Sequence, residues 1–274
     1  MPSTFNARDA EAYERVMGRW SRKLAGPFLD FAGDFTGRHV LDVGCGTGSL
    51  TFLLTGRTTV ASIAAIDIAE NYVAFARSCN TDPRIAFHCA DATDLPFEPD
   101  RFDASLSLLA LHLMSDPASG LREMVRVTRD GGTIASAVWD VRGGLPHARM
   151  FLDTAAMTDP GALAMRERYM RVPLAQAGEL AQLWQAFGLR DVTQSMISIR
   201  FDYEDFDDYW QPFLTGEGTM GGYVASLAPD ARESLGNHLR AAYQAGLADG
   251  PRSFCATAWV CRGIVAKPSI PTRQ

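Results

Sequence analysis

The apolar positions change period along the chain, and the changes mark its elements. Residues 1–36 carry Tyr13, Val16, Met17, Trp20 and Leu24 at helical spacing. Gly26-Pro27 breaks that pattern, and Phe28, Leu29 and Phe31 resume it, which predicts one or two helices ahead of the first strand. From residue 39 the rhythm becomes strand and helix by turns. Strands are predicted at His39–Val43, within Val60–Ile68, at Ile85–Ala90, Phe102–Leu109 and Thr133–Trp139, and helices from Leu50 and over Asn71–Ser78. A further helix has Asp116 as N-cap and Pro117 in its first turn, with Gly131-Gly132 as its stop. The run Phe102–Leu109 carries Phe102, Ala104, Leu106, Leu108 and Leu109 with the small Ser105 and Ser107 between them, and is expected to be a central strand covered on both faces. Only 92–101 shows no helix between strands. The alternation predicts an α/β, doubly wound, mostly parallel sheet with helices on both faces.

Beyond Asp140 the pattern loosens. A loop over 141–147 leads to expected helices at Ala148–Met157, Ala162–Met170 and Ala177–Phe187, then a strand at Asp191–Phe201. The segment Glu204–Leu214 places Phe206, Tyr209, Trp210 and Phe213 on one helical face. Gly216, Gly218, Gly221 and Gly222 predict a mobile connection. A helix over about Asp230–Ala248 and a strand over Phe254–Ala266 complete the pattern. The expected organisation is an N-terminal helical lid at 1–36, a nucleotide-binding core at 37–140, its continuation at 141–190, and the last strands at 191–266. A helical insertion at 204–252, together with the 141–172 segment, is expected to form a cap over the substrate side, and a tail spans 267–274.

Composition adds exclusions. The 274 residues are 47% hydrophobic and 21% charged, with a net charge of −6. That balance disfavours a nucleic-acid backbone as partner, since such proteins carry a basic face. The five cysteines form no C-x-x-C pair and read as free thiols in a reducing compartment. With no signal region and no apolar run approaching ~18 residues, a cytoplasmic protein without a membrane span is expected.

The chemistry lies where the first strand meets its loop. Val40-Leu41-Asp42-Val43 runs into Gly44-Cys45-Gly46-Thr47-Gly48, and a helix follows at once. Glycine there admits close approach of a ligand to the backbone, and the helix start points free N–H groups at it. Asp67, ending the second strand, stands at the spacing expected of an acid that holds ribose hydroxyls. These features alone describe a nucleotide-binding α/β domain, and an NAD-dependent oxidoreductase would share them.

The G-x-G-x-G spacing with Asp42 two places before it resembles motif I of the class I S-adenosylmethionine (SAM) methyltransferases. Asp91-Ala92, the Leu95-Pro96-Phe97 run and Phe102-Asp103 extend the resemblance, which covers residues 38–140 and is closest to the small-molecule group that includes ubiquinone and menaquinone biosynthesis enzymes. It implies a seven-stranded Rossmann-like sheet whose last two strands form an antiparallel hairpin. It also implies SAM as cofactor, S-adenosylhomocysteine as product, no metal, and a small organic methyl acceptor. The implied cofactor contacts are the loop Gly44, Cys45, Gly46, Thr47 and Gly48, then Asp67 at the ribose, Ile68 beside it in the chain, and Asp91 and Ala92 at the adenine. Ser107 and Leu108 fall near the methionine portion. Tyr13 and Arg19 would sit near its carboxylate if the leading helix is a lid rather than sheet packing. His112 and His147 are the candidate bases. Arg166, Arg168 and Arg171 form either a solvated face or a site for an anionic substrate group. A SAM-binding protein without methyl transfer, or an altered-cofactor enzyme, would carry the same cofactor residues.

Overall fold

The computed structural model describes residues 9–267; the parts of the expected lid and tail at 1–8 and 268–274 lie outside the described residues. The first helical run comprises α1 (Ala10–Tyr13), a π-turn at Glu14–Gly18 and α2 (Arg19–Ala32). Then follow β1 (His39–Val43), α3 (Ser49–Arg57), β2 (Ser62–Asp67), α4 (Glu70–Cys79), β3 (Ile85–Cys89) and β4 (Phe102–Leu108). After a 3-10 turn at Leu111–Leu113 come α5 (Pro117–Val127), β5 (Thr128–Trp139), α6 (Pro146–Ala156), α7 (Pro160–Met170) and α8 (Glu179–Ala186). β6 (Arg190–Tyr203), α9 (Phe206–Leu214), α10 (Gly218–Ser226), α11 (Pro229–Gln244) and β7 (Arg252–Ile264) complete the described chain.

The seven strands form one sheet in the order β3-β2-β1-β4-β5-β7-β6. β1 to β5 are parallel, and β7 pairs antiparallel with both β5 and β6. The expected α/β architecture and the antiparallel last pair are therefore present. The strand order reverses between β1 and β4, the place where ligands collect in open α/β sheets. Register brings the carboxyl ends together: Val43 pairs with Ile66, and Asp67 with Cys89. Gly44, Asp67 and Asp91 thus emerge side by side on one rim.

Alternation along the strands divides the core. Val40, Ile63, Ala104 and Leu106 pack with Leu24 and Phe28 of α2, Leu50 and Leu54 of α3, and Phe151 of α6. Leu41, Val43, Ile66 and Ile134 pack on the other face with Leu121 and Met124 of α5 and Trp184 of α8. Each fully buried Val, Leu, Ile, Phe or Met side chain among them contributes about 1.5–3 kcal/mol.

Three expectations are corrected. Gly26-Pro27 does not end the first helix, because α2 runs through Pro27 to Ala32. Phe28 and Leu29 continue the buried face of Leu24 and Ala25, and their burial offsets the hydrogen bond that proline removes. Gly131-Gly132 does not stop α5 either. The helix ends at Val127, and β5 begins at Thr128, whose hydroxyl pairs with Ser105 at 2.7 Å across the strands. The glycine pair sits where the β4–β5 register shifts. Finally, the 216–222 glycines are not a loose connection. From Gly218 they form α10, and a Cβ on Gly221 would stand 3.0 Å from the Gly216 backbone and 3.2 Å from the Phe213 carbonyl, so glycine permits a tight reversal after α9.

Candidate active site

A cavity of about 870 Å³ opens over the carboxyl ends of β1 to β5, between that rim and the segments 161–172 and 213–226. Of the residues singled out in the sequence, it brings together Tyr13, Gly44, Gly46, Asp67, Ile68, Asp91, Ala92, Leu108 and His112.

The glycine loop is held from both sides. The Gly44 and Cys45 N–H groups donate to the Ile66 carbonyl, each at 2.8 Å. A Cβ on Gly44 would meet the Ala110 Cβ at 2.1 Å, and its φ is +75°. The loop is therefore pressed against the end of β4, where Leu109 itself takes φ 62°. On Gly46 a Cβ would face Tyr13 at 3.9 Å, so that position opens towards the cavity. Beneath the loop, buried Asp42 accepts the Thr51 hydroxyl at 2.5 Å, and burial pushes its carboxyl up to about 7. Its Oδ1 is buried with no hydrogen-bond partner among the described residues.

Asp67 accepts from Gly46 N–H through Oδ2 and from Ala69 N–H through Oδ1, both at 2.9 Å. Burial raises its carboxyl above the ordinary carboxylate range, opposed by those backbone bonds. Both oxygens keep lone pairs for further donors. Ile68, next along the chain, is 62% exposed and forms part of the cavity wall. Asp91 uses Oδ1 alone to accept the Thr93 amide and hydroxyl, each at 2.8 Å, leaving Oδ2 for a donor in the cavity.

Arg168 also lines the cavity, and several other sequence candidates lie elsewhere. Cys45, Thr47, Gly48 and Ser107 do not line the cavity. Thr47 hydrogen-bonds the carboxylate of Glu14 in the π-turn, which ties the N-terminal segment to the loop. Arg19 pairs with Asp208 of α9 at 2.7 Å and lies 4.3 Å over the Trp20 ring, away from the cavity. His147 is buried against Phe201, with ring centroids 4.5 Å apart, and is likewise outside. Burial lowers its ring to about 3 and that of His112 to about 4, so both are neutral at pH 7. The Nδ1 of His112 is buried with no partner among the described residues. That leaves Nε2 as the nitrogen able to meet a ligand.

Several wall residues had no signal in the sequence. Tyr72 of α4 lies 4.9 Å from the Tyr13 ring and donates to buried Glu217 at 2.5 Å. Glu217 also accepts the Asp9 amide at 3.0 Å, so one carboxylate joins the N-terminal segment, α4 and the start of α10. Tyr223 of α10 donates to Asp159, the N-cap of α7, at 2.6 Å. Such pairs join residues far apart in sequence, and no local spacing announces them. Three carboxylates, Asp67, Asp91 and Glu217, thus share the wall with mainly apolar groups.

Comparison with known proteins agrees with this geometry. Residues 41–136 match the family model described as a methyltransferase domain. A demethylmenaquinone methyltransferase of Beutenbergia cavernae is 29% identical over 62% of this chain and 75% of its own. The methyltransferase GfsG of Streptomyces halstedii is 38% identical, but over only 40% of each chain, so the match spans less than half of that relative. Among solved structures, a phosphoethanolamine N-methyltransferase 2 of Haemonchus contortus, in complex with phosphomonomethylethanolamine and S-adenosylhomocysteine, shares the fold. Its TM-score is 0.59 at 15% identity, covering 94% of this chain and 57% of that one. Motif, sheet order and domain match converge: residues 41–136 match a methyltransferase domain, and the chain is similar to class I SAM-dependent methyltransferases.

Proposed function

We propose that this protein transfers a methyl group from SAM to a small, largely apolar acceptor by in-line displacement. The observation that carries this reading is the convergence of Gly44, Gly46, Asp67 and Asp91 on one wall of a cavity whose other wall is cap. The sulfonium of bound SAM supplies an electrophilic methyl. Asp67 would accept from the ribose hydroxyls and Asp91, through Oδ2, from the adenine amino group. Gly46 keeps the loop backbone open to the ligand, and Tyr13 covers it. The protein's task is then alignment and exclusion of water, which can supply about 7–11 kcal/mol of the barrier.

His112 sits at the carboxyl end of β4 within the same cavity. Its neutral ring can accept a hydrogen bond from an acceptor hydroxyl. With its pKa pressed to about 4 it is a weak proton acceptor, which suits orientation better than full deprotonation.

Calorimetric titration with SAM, S-adenosylhomocysteine and NAD tests the reading. Binding of both adenosyl ligands without NAD is expected. Binding of NAD alone would move the site to hydride transfer. A stoichiometric SAM response with no product across an acceptor screen would favour the SAM-binding alternative.

A further inference from the structure

The three arginines of the 166–171 segment separate in the structure. Arg166 pairs with Asp153 at 2.5 Å, and Arg171 faces Glu167 at 3.7 Å. Arg168 lines the cavity, and among the described residues its guanidinium has neither an ion pair nor a hydrogen bond. It is also the only lysine or arginine among the described residues of the cavity wall. Arg168 is exposed at the rim, in the last turn of α7, where the helix dipole favours a cation.

Its surroundings differ from the cofactor rim. Asp67 ends β2 and Asp91 lies just past β3, whereas Arg168 stands on the cap beside Met165 and Tyr169, with Val172 and Met220 completing that wall. A guanidinium presents a planar fork of donors matched to carboxylate and phosphate oxygens. The apolar wall accepts a body that avoids water, and the arginine accepts a charge at one end of it.

We propose that the methyl acceptor is an amphipathic molecule, an apolar body with an anionic oxygen group, carboxylate or phosphate, held at the cavity rim by Arg168. This inference rests on the methyltransferase reading, and it adds that acceptor selection depends on a charge placed on the cap.

The test uses the whole protein preloaded with S-adenosylhomocysteine and three probes of one chain length: decanoate, decyl phosphate and decanol. Calorimetry is expected to show at least one anionic probe binding about tenfold or more tighter than the alcohol. Arg168→Gln is expected to abolish that difference while leaving affinity for S-adenosylhomocysteine within about twofold, which also shows that the variant is folded; Arg168→Lys should restore part of the preference. Equal binding of all three probes to the wild type, or binding of none, overturns the proposal. A loss of S-adenosylhomocysteine affinity in Arg168→Gln that matches the loss of anion preference also overturns it, because the arginine would then serve the cofactor's own carboxylate. Failure of the wild type to bind S-adenosylhomocysteine instead defeats the underlying methyltransferase reading.

Discussion

The two walls of the cavity are built on different principles. The strand-end wall is polar and local: Gly44 follows β1, Asp67 ends β2 and Asp91 lies just past β3, and backbone N–H groups fix the loop and the Asp67 carboxylate. The cap wall is apolar and assembled from distant segments, with Phe151 of α6 against Phe213 of α9, and Tyr223 of α10 reaching Asp159 before α7. One wall places hydrogen-bonding groups where the proposed cofactor would meet them. The other offers shape and a single cation, which is where selectivity among acceptors can reside.

Substitutions can break that division or sharpen it. The largest effect is expected from Phe151→Ala, a fully buried ring beneath the cap, at about 3–5 kcal/mol of stability. Denaturant unfolding measures it, and the folded fraction should still bind S-adenosylhomocysteine. If cofactor affinity collapses as well, the walls are not separable. Gly44→Ala comes next. Its Cβ would meet Ala110 at 2.1 Å and the backbone there has positive φ, so a loss of about 2–4 kcal/mol is expected together with impaired cofactor binding. Asp67→Ala should leave the fold in place and weaken SAM by roughly 10–100-fold, since hydrogen bonds to a charged group are worth about 1.5–3 kcal/mol. An unchanged titration would remove the ribose assignment.

A pH experiment probes the support of the polar wall. Asp42 is raised by burial from an ordinary carboxylate value to about 7. The folded state therefore holds its proton more tightly than the unfolded chain does. The resulting stability is full below about pH 4 and is lost as pH rises towards 7. Relative to wild type, Asp42→Asn should lack this decline in denaturation curves taken between pH 4 and 7; parallel curves would show that Asp42 does not titrate in that window. The smallest effect is expected from Arg19→Gln. Its pair with Asp208 is partly exposed and should cost no more than about 1 kcal/mol in unfolding free energy, with SAM affinity unchanged.

The same division explains what the sequence makes legible. Strand-end chemistry is written in adjacent residues: the glycines after β1, the acid ending β2, and Asp91 just past β3. A single chain therefore displays both the core fold and the polar wall. Arg19 beside an aromatic stripe is compatible in sequence with a lid over a cofactor carboxylate as well as with the favoured packing on the sheet, and its partner Asp208 lies far along the chain. The glycines at 216–222 suggested looseness because composition reports backbone freedom without reporting the close packing that freedom permits. Glu217 carries no signal in the sequence for the related reason that a lone acid among glycines gains meaning only from Tyr72 and Asp9. Arg168 was visible as one of three arginines, and only the positions of Asp153 and Glu167 separate it from the other two.

The placement of β7 between β5 and β6 bears on how the chain is made. On the ribosome, β1 to β5 emerge in an order that lets each find a neighbour. β6 does not pair with β5, and it must wait until α9, α10 and α11 have been synthesised before β7 arrives to join it to the sheet. Throughout that interval a 14-residue strand has both edges open, the condition under which nascent chains pair with one another. The cap helices are therefore also a delay during biosynthesis, and slowing translation across 204–251 should raise aggregation more than slowing it earlier.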